Sequence, residues 1–316
     1  MSEKIPKEWK WVKLGEVADV RDGTHDSPKE AIDGKYLITS KHIKNGKIDF
    51  SKAYKISLDD FEAINKRSKV DKYDILFSMI GTIGEMVIVD FEPDFAIKNV
   101  GLFKTGNKDL SRWIYYYLKS NDAQAEIYAS LKGSTQQYIT LGDLRNFPIP
   151  LPPLPDQKAI AEVLSSIDDK IYLLHRQNKT LEEMAMTLFR KWFIEDAKED
   201  WGDGVFGDIV QPKKGKNITK KEVIEGPYPV VAGGIEPSCY HNLANTSEPV
   251  VTISASGANA GYVRLYHTKV WASDSSYIDY SVTPYVYFSY IFLKTNQKAI
   301  FDKQVGSVQP HVYQCK

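Results

Sequence analysis

The chain has 316 residues, of which 42% are apolar and 12% aromatic, a length and composition typical of a globular protein with about two domains. Its 41 basic and 41 acidic side chains cancel, which argues against a protein that coats phosphate backbones without specificity, although local lysine clusters could still form a basic patch. The two cysteines, Cys239 and Cys315, lie too far apart for a zinc site, and the lack of a signal peptide or a membrane-length apolar run predicts a cytoplasmic protein with no membrane partner.

The first 155 residues alternate apolar strands with glycine-rich turns. LGEVADV begins at Leu14, YLITSKHI at Tyr36 and ILFSMIGTIGEMVIV at Ile75. The last of these predicts a strand, a turn bracketed by glycines and a second strand. YYYLKS at 115–120 predicts an aromatic-rich helix, and GSTQQYI from Gly133 closes the segment. We therefore predict one α+β domain over residues 1–155.

A proline-rich segment leads into one long helix. Five prolines between Phe147 and Pro155 favour a stiff, extended approach, and we expect none of them inside a helix. Residues 156–193 contain neither proline nor glycine and are rich in good helix formers, so they predict a long helix. An acidic tail followed by Gly202 and Gly204 ends it, and we assign the helix with its tail to residues 156–198.

The helix carries a seven-residue repeat. Two rows of positions, four residues apart, match the a and d positions of five heptads: Ile160, Leu164, Ile167, Ile171, Leu174, Asn178, Leu181, Ala185, Leu188 and Trp192. A stripe of roughly 38 residues is about 57 Å long, more than the width of a domain of about 150 residues, which favours a partner helix over packing on the helix's own domain. Asn178 in the seam either fixes the register or is a tolerated defect.

The segment after the helix repeats the order of the first domain. Phe206 of FGDIVQP aligns with Leu14, and Tyr228 of YPVVAGGI aligns with Tyr36, both at a shift of 192 residues. VVTISASGANAGYVRLY from Val250, YIFLKT at 290–295 and GSVQPHV from 306 then follow in the same order as their counterparts. Five landmarks in one order predict two copies of one α+β domain, over 1–155 and 199–316. The low identity between the copies indicates one scaffold serving two different targets.

Familiar catalytic motifs are absent from the sequence. There is no G-x-x-x-x-G-K-S/T phosphate loop, no G-x-G-x-x-G turn, no G-x-S-x-G nucleophile elbow and no H-E-x-x-H metal pair. The Asn/Asp-Pro-Pro-aromatic tetrapeptide of an amino-methyltransferase is also missing. His25 and His42 are isolated histidines in polar segments, where surface or ligand-contact roles are commoner than catalysis. The sequence therefore predicts a binding protein.

The order of domain, proline-rich segment, heptad helix and second domain resembles the specificity (S) subunit of type I restriction-modification enzymes. The phrases that carry the resemblance are WVKLGEVADV, RDGTHDSP, ILFSMIGTIGEMVIV and GSTQQYITLGDLRNFPIPLPPLPDQKAIAEVLSSIDDKI, together with KTLEEMAMTLFRKWFIE and WGDGVFGD. The resemblance covers essentially the whole chain and is most specific at the junction of prolines and helix.

This resemblance implies a non-catalytic subunit. Each domain would be a target-recognition domain that reads half of a bipartite sequence in double-stranded DNA. The family's long helices would pair antiparallel, space the two halves and dock the methyltransferase subunits. Adenine methylation and ATP-dependent cleavage would belong to partner methyltransferase and restriction subunits, and S-adenosylmethionine, ATP and magnesium would be bound there and not by this chain.

We expect DNA contacts from polar side chains on glycine-flanked loops, where the backbone can approach closely. Glutamine can bond an adenine edge with two hydrogen bonds, and serine and threonine can reach phosphates or bases. The first candidates are Ser134, Thr135, Gln136, Gln137, Ser307, Gln309 and His311. The second candidates are Arg21, Thr24, His25, Lys41, His42, Lys44, Lys213, Lys214 and Lys216. The alternatives are a turn that merely ends the domain, for the Ser/Gln loop, and a solvated loop, for the lysine run.

The first copy continues into prolines and a helix, whereas only Tyr313, Gln314, Cys315 and Lys316 follow GSVQPHV. The family's second long helix is then absent, and we expect a C-terminally truncated chain whose helix pairs with a second copy or with a complementing fragment. Other interpretations are an inactive fragment that serves as a recombination reservoir, and a coiled-coil adaptor with protein-binding ends. A stand-alone methyltransferase would need a further cofactor-binding fold, for which the chain has no room.

Overall fold

The computed structural model of this chain describes residues 5–202 and 204–305. The chain divides into two compact units, called unit 1 (Met1–Tyr172) and unit 2 (Leu173–Lys316). In chain order the strands and helices are β1 (Lys10–Lys13), α1 (Leu14–Val17), β2 (Asp19–Asp22), β3 (Lys35–Thr39), β4 (Ile43–Lys44), β5 (Lys47–Ile48), β6 (Lys55–Ile56), α2 (Leu58–Ser68), β7 (Ile75–Ser78), β8 (Met86–Ile88), β9 (Phe95–Lys98), β10 (Val100–Lys104), α3 (Lys108–Leu118), α4 (Asn121–Ala129), α5 (Leu141–Arg145), β11 (Pro148–Leu151), α6 (Leu154–Arg190), α7 (Phe206–Ile209), β12 (Lys213–Lys214), β13 (Tyr228–Val231), β14 (Cys239–His241), β15 (Val250–Ser254), β16 (Val263–Tyr266), β17 (Trp271–Ala272), β18 (Ser275–Ile278), α8 (Val286–Thr295) and α9 (Gln297–Phe301).

Unit 1 is built around a four-stranded antiparallel sheet in the order β2-β10-β7-β8. Its strand β7 is buried along its whole length because both faces of the sheet are covered. Phe77 packs with Ile114 of α3 on one face, whereas Leu76 packs with Ile38 and Ile97 of the second sheet on the other. This alternation is the period-two pattern of a strand, here with apolar residues at every position. Each fully buried side chain of this kind contributes about 1.5–3 kcal/mol relative to an exposed one.

The second sheet of unit 1 has the order β6-β3-β9, with β3 and β9 parallel. The proline-rich segment forms β11, which pairs antiparallel with β1 and has Pro150 opposite Trp11. Proline is tolerated there because this sheet has only two strands, so one edge of β11 needs no ladder partner. The predicted extended approach to the helix is confirmed.

Unit 2 repeats this topology. Its four-stranded sheet has the order β12-β18-β15-β16, and its three-stranded sheet has the order β14-β13-β17 with β13 and β17 parallel. Val251 of β15 packs with Val286 of α8 on one face, and Val250 packs with Val231 of β13 on the other. In these two sheets the corresponding strands lie in the same order, which confirms the prediction of two α+β copies.

Helix α6 contributes its first part to unit 1 and its second part to unit 2. In unit 1, Ala161 is 1% exposed, and the Tyr116 hydroxyl of α3 donates a hydrogen bond to Asp168 Oδ2 at 3.1 Å. In unit 2, the Tyr290 hydroxyl of α8 donates a hydrogen bond to Glu182, and the ring of Phe189 lies 5.4 Å from that of Phe288. The aromatic helices α3 and α8, predicted at 115–120 and 290–295, therefore play the same structural role, since each holds α6 within its own unit.

Two details of the predicted helix are corrected. It begins at Leu154 and not at 156, so Pro155 lies inside it, contrary to the expectation that no proline would. The first turn of a helix tolerates proline because the amide hydrogens there have no intrahelical acceptor. At its other end a π-helical turn, Lys191–Glu195, continues α6. Among the described residues, no helix is both long and apolar enough to cross a bilayer.

Candidate nucleic-acid interface

Several loops of unit 1 meet at one end of its four-stranded sheet. Ser78, the last residue of β7, pairs with Val100, the first residue of β10. The next residue of β10, Gly101, pairs with Asp22, the last residue of β2. The loops 22–27, 79–85 and 98–99 adjoin this sheet end, and the loops 40–45 and 132–138 are hydrogen-bonded to them. We call these five loops together the loop end of unit 1. It collects all of the candidate residues from the first half of the chain except Arg21, which immediately precedes it on β2.

The Ser/Gln loop is held beside the glycine-bracketed turn. Lys132 and Tyr138 exchange backbone hydrogen bonds, both of 2.9 Å, and the amide of Ile139 donates to the carbonyl of Met79 at 3.2 Å. Gly133 has φ +89°, and a Cβ there would lie 2.4 Å from the carbonyl oxygen of Gln136, so only glycine fits. The loop thus presents four exposed polar residues in a row: Ser134, Thr135, Gln136 and Gln137.

Thr24 and His25 belong to a hydrogen-bonded cluster around Asp22. Thr24 Oγ1 accepts the backbone N–H of Asp26 at 3.1 Å. The exposed ring of His25 has Nδ1 2.7 Å from Asn99 Oδ1 and Nε2 3.0 Å from Asp22 Oδ2. Asp22 is 4% exposed, so this buried carboxylate orients the histidine at the surface.

The arginines of this region are also paired. Arg21 Nε donates to Asp19 Oδ2 at 2.8 Å, and its Nη1 donates to the carbonyl of Arg67 at 2.9 Å. The Arg67 guanidinium in turn donates to Asp22. Sequence reasoning missed Arg67, because α2 lies far along the chain and nothing in its local pattern indicates where its last turn packs.

The candidate His42 is enclosed by the fold, so the structure does not present its side chain to a partner. Its side chain is fully buried, Nδ1 accepts the Thr39 N–H at 3.0 Å, and Nε2–H donates to the Lys52 carbonyl at 3.2 Å. Burial, and next the positive charge of Lys41, lower the pKa of the imidazole below its ordinary value, which favours the neutral ring. Lys41 and Lys44, on either side of it, are exposed.

Unit 2 has an equivalent loop end. Ser254 of β15 pairs with Ser275 of β18, and the next residue, Ser276, pairs with Lys214 of β12. Gly257 and Gly261, with φ +81° and +85°, bracket the turn after β15. Gly81 and Gly84, with φ +80° and +88°, bracket the corresponding turn of unit 1, and this matches the pairing of the two segments made from the sequence.

A glycine also follows the edge strand in both units. A Cβ on Gly23 would lie 2.3 Å from the carbonyl oxygen of Ile97, and one on Gly215 would lie 2.5 Å from that of Ala272. Because Gly23 and Gly215 are equivalent, Arg21 corresponds to Lys213 and Thr24 corresponds to Lys216. Lys213, Lys214 and Lys216 are exposed, and Lys213 Nζ donates to Ser281 Oγ at 2.9 Å.

The second Ser/Gln loop lies outside the described residues. Gln304, just before it, donates from Nε2 to the carbonyl of Ala260 at 2.7 Å, which brings the chain to the glycine-bracketed turn of unit 2. The candidates concerned are Ser307, Gln309 and His311.

The heptad seam of α6 is mostly exposed within the described residues. Ile160 packs against the core of unit 1, so at this position the predicted seam is used by the helix's own unit. Leu164 and Ala185 are half-buried. The exposed seam residues are Ile167, Ile171, Leu174, Asn178, Leu181, Leu188 and Trp192.

Comparison with known proteins agrees with this architecture. The model of the type I restriction modification DNA specificity domain matches residues 6–183 and, separately, 198–316. A protein of Mycoplasma pneumoniae named as a type I specificity subunit is 31% identical over 218 residues, which are 64% of this chain and 57% of that protein. The specificity subunit of a type I restriction enzyme of Methanocaldococcus jannaschii is 27% identical over 283 residues, 81% of this chain and 61% of that protein. The chain therefore spans about three-fifths of the length of these relatives.

A solved structure shows the same fold. The crystal structure of the S subunit of a type I restriction-modification system from M. genitalium matches 95% of this chain and 80% of its own chain, with a TM-score of 0.54 and 21% identity. Taken with the match of the family model over both units, these findings establish that the chain belongs to the family of type I restriction-modification DNA specificity subunits.

Proposed function

We propose that this chain is the DNA-reading subunit of a type I restriction-modification system and that each unit reads one half of a bipartite target. The observation that supports this most directly is the repetition of one loop end in two units. In both, a glycine-bracketed turn and the loop after the edge strand leave the same end of an equivalent sheet. Two similar surfaces with different side chains suit recognition of two different short sequences.

Within each unit, phosphate contacts would position the loop end and base contacts would specify the sequence. In unit 1 the exposed Gln136 and Gln137 have the chemistry to bond an adenine edge in the major groove, and Ser134 and Thr135 can reach phosphates or bases. By their place in the repeat, Ser307, Gln309 and His311 would serve unit 2.

The chain would direct chemistry that its partners perform. Methyltransferase subunits would dock on α6 and methylate adenine, and restriction subunits would join through the complex. In this scheme S-adenosylmethionine, ATP and magnesium are bound by those subunits. Within the described residues, no three His, Cys, Asp or Glu side chains are grouped as a metal site would require.

Selection from a random duplex DNA library, with methyltransferase subunits added, tests this proposal. The wild-type chain should enrich two short motifs separated by a spacer of constant length. The double substitution Gln136→Ala, Gln137→Ala should relax the preference in one motif, at about 1–3 kcal/mol for each lost bidentate contact, and leave the other motif unchanged.

A matched control is Gln177→Ala, which removes an exposed glutamine from α6 and should leave both motifs intact. If the wild-type chain enriches no bipartite motif, the proposed function is wrong. If both motifs survive the double substitution, the Ser/Gln loop does not read bases.

A further inference from the structure

The two loop ends carry different charges at equivalent positions. Strand register places Arg21 opposite Leu102 and Lys213 opposite Tyr277, in the same place relative to the sheet ends marked by Ser78 in unit 1 and Ser254 in unit 2. Asp22 of unit 1 therefore corresponds to Lys214 of unit 2. Beyond the strand, the N–H of Thr24 donates to the carbonyl of Ile97, and that of Lys216 donates to the carbonyl of Ala272, so these two residues also correspond.

In unit 1 the charges of this strand end are neutralised internally. Arg21 forms an ion pair with Asp19, and Arg67 forms one with Asp22. Lys98, at the end of β9, donates a hydrogen bond to the neutral Ser27 and keeps its charge, so the neutralisation concerns Arg21 and Arg67. Lys41 and Lys44 are exposed, but they belong to a different loop, after β3.

In unit 2 the corresponding cations are not neutralised by ion pairs within the described residues, although the charge of Lys216 acts on Glu222. Within the described residues, none of Lys213, Lys214 and Lys216 forms an ion pair with a carboxylate, and Lys213 bonds only the neutral Ser281. Ser281 in turn donates a hydrogen bond to the carboxylate of Asp279, so Lys213 is linked to that carboxylate only through a neutral hydroxyl. Glu222 and Asp274 accept hydrogen bonds from other residues. The Thr219 backbone and hydroxyl, and after them the charge of Lys216, lower the pKa of Glu222, and Asp274 accepts a hydrogen bond from Ser256.

We propose that Lys213, Lys214 and Lys216 form a phosphate anchor for duplex DNA and that the equivalent strand end of unit 1 makes no such contribution. The two units then contribute unequally to DNA affinity, because unit 2 supplies more of the salt-dependent part at this position. The inference rests on the proposed function, since it assumes that both loop ends face DNA.

The positive charge of the three lysines favours the phosphate backbone of duplex DNA as the partner. Three unpaired lysines within four residues match a backbone that carries one negative charge per about 1.7 Å of duplex axis. Each lysine that neutralises a phosphate releases counterions, which adds about 0.9 to the magnitude of the slope of log Kobs against log salt concentration. A purely structural explanation also exists, because lysines on an edge strand discourage sheet-to-sheet aggregation.

The experiment compares single substitutions at equivalent positions in the full chain, assembled with methyltransferase subunits and bound to the selected duplex. Salt is varied from about 50 to 200 mM, the range in which phosphate contacts dominate the change in affinity. Lys213→Ala should lower the magnitude of the slope by about 0.9, and the triple substitution of Lys213, Lys214 and Lys216 by alanine should lower it by about 2–3. Arg21→Ala should leave the slope unchanged, and a triple lysine-to-arginine variant should restore it.

The selected motif should be the same for every variant, because phosphate contacts position the protein without reading sequence. Equal slopes for the triple alanine variant and the wild type would overturn the anchor, and increased aggregation of that variant would then assign the lysines to edge protection. If Arg21→Ala and Lys213→Ala lower the magnitude of the salt slope equally, the proposed difference between the two units is wrong. A wild-type complex with no affinity for duplex DNA would overturn the proposed function and the anchor together.

Discussion

At the scale of single residues, burial decides whether a polar side chain is accessible to a partner or stabilises the fold. His42 lies between Lys41 and Lys44, both exposed, yet its own ring is fully enclosed and bonds two backbone groups. Those bonds satisfy an amide of one loop and a carbonyl of another, so His42 joins the Ser40–His42 turn to residue 52. A buried ring with both nitrogens engaged is a structural element, however polar the surrounding sequence.

His42 predicts a pH dependence of stability. Its pKa is lowered in the folded state, so the unfolded chain binds the proton more readily, and the stabilisation that is present above about pH 6.5 is lost as the pH falls. His42→Gln removes the titration and should lower the free energy of unfolding by about 1–3 kcal/mol at neutral pH, because one buried bond is left unmade. The difference in Tm between wild type and variant should therefore shrink from pH 7.5 to pH 5.5.

Thermal melts of both proteins across that range check this expectation. His175→Gln makes the same substitution at an exposed position on α6 and is the control for the change of residue type itself. If the difference in Tm between the wild type and His42→Gln does not change with pH, the His42 ring titrates equally in the folded and unfolded states.

At the scale of secondary-structure elements, α6 exposes apolar side chains that neither unit buries. Leu174 is 44% exposed and Leu181 is 61% exposed, although both belong to one apolar row. A contiguous apolar stripe of this kind normally marks an interaction surface. We expect it to pair with a helix of another chain, either an antiparallel second copy or a complementing fragment, with the methyltransferase subunits packed around the pair.

The helix prediction is tested by placing charge in this row. Leu174→Asp with Leu181→Asp should abolish self-association and methyltransferase docking, because an unpaired carboxylate in a helix seam costs far more than the roughly 1.5–3 kcal/mol gained by each buried leucine. Both units should stay folded, since neither side chain is buried within them. Light scattering and co-purification with the methyltransferase subunits measure the two effects.

Thr180→Asp with Thr187→Asp adds the same charge at exposed positions outside the row and should change neither property. A monodisperse wild-type monomer at tens of micromolar concentration, with α6 protected from proteolysis, would contradict pairing between chains.

At the scale of the whole molecule, the chain contains two copies of one α+β scaffold, and both are matched by the family model. The family model matches residues 6–183 and 198–316, and each unit contains a four-stranded and a three-stranded sheet. We therefore predict that the purified chain does not bind S-adenosylmethionine. Isothermal titration checks this, and a dissociation constant in the micromolar range would point to a methyltransferase instead.

The organisation of this protein could be predicted from the sequence because its signals are local or periodic. The heptads of α6, the turns bracketed by Gly81 and Gly84 or by Gly257 and Gly261, and the shift of 192 residues between Leu14 and Phe206 all follow from residue order. Each reflects a physical requirement of a short segment: an apolar face, a positive φ, or a repeated unit. The fold class, with its two copies of one domain, followed from these signals, whereas the family came from the resemblance of longer phrases to a known family.

Tertiary structure alone decided which polar residues are available to a partner. Arg67 bonds Asp22, which lies 45 residues away in the sequence. His42 is fully buried, and Ile160 packs against the core of unit 1 although it belongs to the heptad seam. Arg21 forms an ion pair with Asp19, whereas Lys213 bonds a neutral serine. This difference likewise depends on what surrounds each side chain in space. Burial and ion pairing are properties of distances between segments remote in sequence, and for that reason no local pattern specifies them.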